Sequence, residues 1–207
     1  MRIYLPISAL LLLVLTSCST NKVLNDCEAV PLESIHYLVP YFSDATIDYV
    51  YKANITAYGN ELTGIFIAKK INETTHRVVF TTEFGNKLLD FEISENDFKI
   101  NSIVEELNRK ILINTLKKDF RLLLKSDFLI DKQYKNATYK IVENKEGKYS
   151  NYIFSTTLDN KLIKIVHATK PKEKINIIFT TENNIFAQNI EIQHYNIKLK
   201  IVLNKIN

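Results

Sequence analysis

Residues 47–57 read IDYVYKANITA, and this stretch decides the fold because apolar and polar side chains alternate along it. The apolar set of one parity is Ile47, Tyr49, Tyr51, Ala53, Ile55 and Ala57. The opposite parity carries Asp48, Lys52, Asn54 and Thr56. A period of two puts these sets on opposite faces of a β-strand, which is typical of an antiparallel sheet wetted on one side.

The same period recurs along most of the chain after residue 45. Gly59-Asn60 is a turn signal that joins the first strand to a second over 63–69 as a hairpin. Further strands are predicted at 76–81, 89–93, 139–141, 149–156, 162–167, 175–180, 186–192 and 197–203. The pattern therefore predicts about ten strands.

The period changes between the two groups of strands. Apolar residues recur every three or four positions over 103–124, which predicts helix there. Ser102 and Glu105 match a capping box that would begin the helix, and Asn114-Thr115 is a candidate break within it.

Together these elements predict a mainly β fold of the α+β class: a half-open antiparallel β-barrel of about ten strands with a helical lid or plug. A sheet that curls around a helix can hold a ligand, or the helix can fill the concavity completely. The pattern of residues leaves both alternatives open.

A targeting segment precedes the strands. Arg2 is followed by an apolar run from Leu5 to Leu15, which is too short for the ~30 Å hydrocarbon core of a bilayer and is typical of a signal peptide. The sequence Thr16-Ser17-Cys18 resembles the lipobox of bacterial lipoproteins, which implies cleavage before Cys18 and acylation of that cysteine.

We therefore expect a signal peptide over 1–17, a lipidated Cys18 with a tether and short segment over 18–44, and a single domain over 45–207. Ser19 and Thr20 follow the cysteine without an Asp. By resemblance to the sorting rule of enteric bacteria, this favours export to the outer membrane, with the protein lipid-anchored on the periplasmic face.

Charge and motifs argue against several classes of function. The 207 residues carry 27 Lys and Arg against 23 Asp and Glu, a scattered net charge of +4 that predicts no nucleic acid partner. There is no G-x-S-x-G, P-loop or G-x-G-x-x-G motif, and the four histidines lack metal-ligand spacing. His167, on an alternating strand, is predicted to be a hydrogen-bonded or rim histidine. We expect no catalytic residues, no metal, no cofactor and no enzymatic activity.

Two further segments resemble a known family. Residues 78–89, VVFTTEFGNKLL, look like the strand, Thr-x-x-apolar-Gly loop and strand of the LolA/LolB-fold lipoprotein carriers, and IKLKI at 197–201 looks like their closing strand. The order of lipobox, half-barrel, helices and half-barrel is also similar, most of all to the LolB-like outer-membrane lipoproteins. The resemblance implies an apolar cavity that takes up lipoprotein acyl chains, a periplasmic lipoprotein carrier as partner, and delivery into membrane lipids.

The resemblance assigns a role to one loop. By position, Phe84, followed by Gly85, matches the exposed apolar residue with which LolB-like proteins engage the membrane. Alternatively, Phe84 folds back onto the sheet. Glu83 stands where the family loop often has Pro, and the chain has no Trp, so a cavity would be lined by Phe, Tyr, Ile and Leu. From alternation, the predicted lining residues are Tyr49, Tyr51, Ile65, Ile67, Phe80, Leu89, Phe91, Ile111, Leu112, Leu199 and Ile201.

A second hypothesis keeps the fold and changes the function. If the helix fills the concavity, the protein is a lipid-anchored structural or interaction lipoprotein of the envelope. Cys27 is then, as in the first hypothesis, a thiol in the tether that has no intrachain partner once Cys18 is acylated.

Overall fold

The computed structural model describes residues 22–170 and 172–206. The predicted signal peptide over 1–17, the predicted lipid attachment at Cys18 and residues 19–21 lie outside the described residues. None of the described helices combines the length and the hydropathy that crossing a bilayer requires.

The described chain forms one large antiparallel sheet, a small second sheet and one α-helix. The strands are β1 Glu28–Val30, β2 His36–Leu38, β3 Asp48–Ala57, β4 Asn60–Lys70, β5 His76–Thr81, β6 Lys87–Ile93, β7 Phe98–Ile103, β8 Asp127–Leu129, β9 Lys132–Lys135, β10 Tyr139–Glu146, β11 Tyr149–Thr156, β12 Leu162–Thr169, β13 Lys172–Thr181, β14 Ala187–His194 and β15 Leu199–Lys205. The helix, α1, spans Lys110–Leu123, and short 3-10 helices span Lys22–Leu24 and Glu105–Leu107.

The large sheet has 13 strands in the order β1-β9-β10-β11-β12-β13-β14-β15-β3-β4-β5-β6-β7, and β2 pairs with β8. The predicted mainly β fold with one helix is confirmed. The predicted barrel is not, because β1 and β7 end the order without pairing with each other and the sheet is not closed.

The sequence prediction missed the short strands and β7. β1, β2, β8 and β9 are three or four residues long, too short to display a period. The predicted helix begins at Ile103, but this residue lies in β7 and pairs with Leu89 of β6. Apolar and polar residues alternate only over 98–101, and Ser102 then interrupts the pattern, so the alternation is too short to predict a strand.

The helix begins later than predicted, and its predicted capping box is wrong. Ser102 lies in β7, and α1 is preceded by Arg109, which makes no side-chain capping hydrogen bond. The predicted break at 114–115 is also wrong, because Thr115 lies within the helix and its hydroxyl donates to the Ile111 carbonyl at 2.9 Å. Apolar residues at the end of β7 and in the 3-10 turn continue the three- and four-residue spacing of the helix. The predicted helix therefore includes them.

The core lies between one face of the sheet and α1. Phe120 of the helix stacks on Phe66 of β4 with ring centroids 5.2 Å apart and packs on Phe91 of β6 at 5.7 Å. The segment before β3 completes this core, since Tyr41 and Phe42 are buried beneath the middle of the sheet. The C-terminal half of α1 is therefore fixed to the sheet by aromatic contacts.

The opposite face of the sheet has a second apolar cluster in the region of β10 to β12. Its buried members are Ile141, Tyr152, Phe154, Val166 and Ala168. Val23, Leu24 and Cys27 pack against it, so the first described residues cover the outer face of the sheet.

Candidate functional site

A cavity of about 840 Å³ lies between the N-terminal half of α1 and the inner face of β15, β3, β4, β5 and β6. The helix therefore does not fill the concavity. The wall of the cavity is formed mostly by apolar side chains: Ala53, Ile55, Ala57, Leu62, Phe66, Val78, Phe80, Leu89, Phe91, Leu107, Ile111, Leu112, Leu116, Phe120, Ile197, Leu199, Ile201 and Leu203. This volume lies in the ~300–1,000 Å³ range of small-molecule sites.

Polar residues on the wall are grouped where β3 turns into β4 and where α1 begins. Asn60 and Glu61 come from the strand turn, and Arg109 and Lys110 from the start of the helix. An apolar interior with a charged rim suits a ligand with a long hydrocarbon part and a polar end, because each buried CH₂ contributes about 0.8 kcal/mol.

Seven of the eleven residues predicted to line a cavity are on this wall: Phe80, Leu89, Phe91, Ile111, Leu112, Leu199 and Ile201. Tyr49 and Tyr51 share their face of β3 but lie in the packed core, where Phe42 covers them at centroid distances of 4.9 and 5.9 Å. That any of these residues contacts an acyl chain stays a prediction.

Ile65 and Ile67 were assigned to the wrong face of β4. The buried positions of this strand are Gly64, Phe66 and Ala68, so Ile65 and Ile67 point away from the cavity. Alternation could not settle the parity because apolar residues occupy both faces from Leu62 onward.

The sequence prediction also missed the small residues that create space. Ala53 and Ala57 lie on the inner face of β3, where a larger side chain would occupy the cavity. The available signal was their position: both are on the apolar parity of the strand that decides the fold.

The loop that carries Phe84 joins two strands of the cavity wall. Phe80 and Leu89 are register partners in β5 and β6, and both line the cavity. In the turn between them, the Gly85 amide donates to the Thr82 carbonyl at 3.0 Å, and Gly85 takes a φ of 85°, which favours glycine. The Phe84 side chain is 95% exposed, so it does not fold back onto the sheet.

Three ion pairs hold this hairpin on the outer face of the sheet. Glu83 reaches Lys52 of β3 at 2.8 Å, so the charge that departs from the family loop is paired. Asp90 is almost fully buried and accepts hydrogen bonds from Arg77 at 2.7 Å and Lys87 at 2.7 Å. Arg77 above all, with Lys87, holds the pKa of the Asp90 carboxyl well below its usual range.

Comparison with known proteins finds distant structural similarity and no match in sequence. No family model matches the sequence, and no curated protein matches it significantly. A similar solved structure is that of a domain from Vibrio parahaemolyticus provisionally described as an outer membrane lipoprotein-sorting protein. The two share 8% sequence identity with a TM-score of 0.49, over 80% of this chain and 86% of that domain. A similarity this remote does not indicate a function, so the function is inferred from the geometry of the cavity.

A second, more polar cleft of about 570 Å³ lies at the C-terminal end of α1. Here His167 Nδ1 lies 2.7 Å from Asn151 Oδ1, and the imidazole stacks on Tyr149 at 4.7 Å. Asn151 in turn donates to Asn144 at 2.9 Å, so its Oδ1 accepts from His167. Burial lowers the pKa of His167. In the described ranges, no group of three or more His, Cys, Asp or Glu is arranged to hold a metal.

Cys27 lies at the edge of the outer-face cluster. Its Sγ is 3.4 Å from the Asn25 carbonyl and 3.5 Å from Asn136 Nδ2. Partial burial raises the pKa of the thiol, which disfavours the reactive thiolate.

Proposed function

We propose that this protein binds the acyl chains of lipoproteins in the cavity under α1 and helps insert them into a membrane, in the manner of a LolB-type outer-membrane lipoprotein. The observation that carries the proposal is the cavity of about 840 Å³ with its almost wholly apolar wall. The fold with a filled core, on which the interaction-lipoprotein hypothesis depends, lacks such a cavity.

Binding and release need no covalent chemistry. An acyl chain leaves one apolar environment for another, so the free energy of each step is a difference between two burials and can be small in either direction. Residues of the wall supply burial, and Arg109 and Lys110 at the rim can meet an anionic or polar end of the ligand. We therefore propose a carrier or receptor and not an enzyme.

The N-terminal half of α1 is the part that would move to admit a ligand. Ile111 is 71% exposed at the rim while Leu112 and Leu116 line the cavity beside it. The aromatic contacts and the Asp119–His194 pair that fix the helix all belong to its C-terminal half. A chain could therefore enter by displacement of one or two turns of helix.

Acylated Cys18 would hold the protein on the outer membrane, where a periplasmic carrier delivers cargo. Several acyl chains on one cysteine bind a bilayer far more tightly than a single chain does. The Phe84 side chain, exposed beside the cavity wall, would then perturb lipid packing at the site of delivery.

A transfer assay tests the proposal. A fluorescent triacylated lipopeptide is loaded on the purified protein, acceptor vesicles are added, and the rate at which the probe enters the vesicles is measured. The proposal requires stoichiometric loading and transfer faster than spontaneous release from micelles. Failure to load the lipopeptide would refute it.

A further inference from the structure

Two exposed tyrosines lie in neighbouring turns of the large sheet. Tyr58 is in the turn between β3 and β4, and Tyr195 follows β14 in the connection to β15. Each of them is 60% exposed. The two turns are adjacent because β15 pairs with β3, and the Tyr58 amide donates to the Lys198 carbonyl of the β14–β15 connection at 2.9 Å. The two tyrosines therefore belong to one exposed region of the surface.

The backbone holds Tyr58 in a conformation that tyrosine rarely adopts. Tyr58 and Gly59 are the two central residues of the turn between Ala57 and Asn60, and their φ angles of 52° and 89° are both positive. Such turns prefer Asn, Asp or Gly at both central positions, because a bulky side chain is strained at positive φ. A strained tyrosine that is mostly in water contributes little to folding, so it indicates a role in binding.

Hydrogen bonds hold Tyr195 in place. Asn176 of β13 donates to the Tyr195 hydroxyl at 3.1 Å, and the Tyr195 amide donates to the Lys174 carbonyl at 3.0 Å. More than half of the residue nevertheless stays in water. The exposure of this aromatic ring is therefore set by the fold.

The polar rim of the cavity lies between these turns and the start of α1. Tyr58, Asn60 and Ile197 line the cavity from the side of the sheet. Arg109 and Lys110 line it from the side of the helix. A ligand that enters or leaves the cavity at this rim passes next to the two turns.

The Phe84 turn lies at the same edge of the sheet. β14, β3 and β5 run in the same direction, because two antiparallel steps separate each from the next. The turns that follow these strands carry Tyr195, Tyr58 and Phe84. Leu158, which is 97% exposed, follows β11 and lies at the opposite edge, because three antiparallel steps separate β11 from β14.

We infer that Tyr58 and Tyr195 dock this edge of the sheet on the headgroup layer of a phospholipid bilayer, so that the rim of the cavity faces the lipid. Tyrosine suits this layer because its ring can enter the apolar region while its polar end stays hydrated or hydrogen-bonded. The inference rests on the proposed function, in which Phe84 enters the same membrane. It adds two contacts that orient the cavity, so an acyl chain can pass into the bilayer without crossing bulk water.

The arrangement and charge of this edge favour a lipid surface over a protein partner. The aromatic side chains come from three separate turns, and a fluid lipid layer can close around each of them. A stable protein interface instead buries more than about 1,000 Å² of complementary surface. The charged residues of 58–59, 82–86 and 195–198 are Glu83 and Lys198, whose charges cancel. We therefore expect the contact to form on neutral phospholipid.

The absence of tryptophan from the chain makes a direct test possible. Tyr58→Trp and Tyr195→Trp each exchange one aromatic ring for another at the proposed contact, and Leu158→Trp is the matched control at the opposite edge. Each full-length protein is bound to phosphatidylcholine vesicles with and without brominated lipid, and tryptophan emission is recorded. We expect a blue shift for both tyrosine replacements and quenching at least about twofold stronger than for Leu158→Trp.

Quenching of both tyrosine replacements no stronger than that of the control would overturn the inference and favour a protein partner for this edge. Failure of the full-length protein to float with vesicles would also overturn it. Loading of a fluorescent lipopeptide, measured without vesicles, tests acyl binding separately. Normal loading with unquenched reporters would refute the bilayer contact alone, whereas failure to load would refute the proposed function even if both reporters were quenched.

Discussion

Phe84 and Asp90 belong to the same β5–β6 hairpin, one exposed to water and the other buried. Asp90 is 1% exposed, and its ionised carboxylate accepts hydrogen bonds from Arg77, Lys87 and Asn101. This network fixes the base of the hairpin, and the Thr82–Gly85 turn fixes its tip. The exposure of Phe84 is therefore built into the fold.

Phe84→Glu should slow delivery of acyl chains to vesicles and leave acyl binding largely unchanged. A carboxylate at the tip disfavours entry into the lipid interface, while the cavity wall at Phe80 and Leu89 is untouched. The measurement is the transfer rate in the lipopeptide assay, with Phe84→Leu as the control that keeps an apolar tip. An unchanged transfer rate for Phe84→Glu would contradict the role of the loop.

Asp90→Asn should lower the free energy of unfolding at pH 7 by about 1–3 kcal/mol, because it removes charge-assisted hydrogen bonds to a buried acceptor. The pKa of Asp90 is lowered in the folded state, so its stabilisation is present above the unfolded pKa of about 4 and is lost as pH falls below it. Urea unfolding at pH 7 and pH 3 should show the gap between wild type and variant narrowing at pH 3. A gap that widens on acidification would refute this account.

At the scale of elements, α1 has two differently supported halves. Its C-terminal half is held by Phe120 on Phe66, by Asp119 2.9 Å from His194, and by Arg121 donating to the Ser94 carbonyl at 2.9 Å. Burial raises the pKa of Asp119. The N-terminal half covers the cavity and begins at Arg109 without a side-chain cap. The half of α1 that lies over the cavity is therefore held by fewer contacts than the C-terminal half.

Amide hydrogen exchange should resolve the two halves of α1. We expect amides of Ile113 to Leu116 to exchange at least about tenfold faster than those of Phe120 to Leu123, because fewer buried contacts must break to open the first turns. Bound lipopeptide should slow the fast half selectively. Uniform protection along the helix, unchanged by ligand, would exclude it as a lid.

Gly64 of β4 leaves no room for a side chain beside the end of β5. A Cβ at this position would lie 2.0 Å from the Thr81 carbonyl oxygen and 3.0 Å from the Phe80 ring. Gly64→Ala should therefore destabilise the protein by about 1–3 kcal/mol through a forced shift of backbone. Thermal unfolding measures the effect, with Thr63→Ala on the opposite face of the strand as control. Equal stability of the two variants would show that β5 can move aside.

The elements differ in how far the sequence determines them. β3 was predictable to within one residue because, apart from Val50, its two faces differ in polarity. In β4 both faces are apolar, so only packing against Gly64 and Phe66 decides which one is inner. The helix start was misplaced because Ile103 fits a helical period as well as it fits its pairing with Leu89. The cavity depends on the tertiary contacts that leave space beside Ala53 and Ala57, which no local pattern encodes.

At the scale of the whole molecule, the open sheet and α1 are proposed to form a site for an acyl chain between them. Ala57→Phe places a phenyl group in the cavity, and Thr56→Phe puts the same group on the opposite face of β3. Displacing two methylenes of ligand, at about 0.8 kcal/mol each, should weaken acyl binding about tenfold in the first variant only.

Native mass spectrometry of the protein prepared without its own lipid, after exposure to a lipopeptide, measures directly whether this site binds an acyl chain. We expect one bound lipopeptide per chain, retained by Thr56→Phe and much reduced in Ala57→Phe. A clean unliganded mass for the wild-type protein, with no uptake of a fluorescent acyl probe, would contradict it.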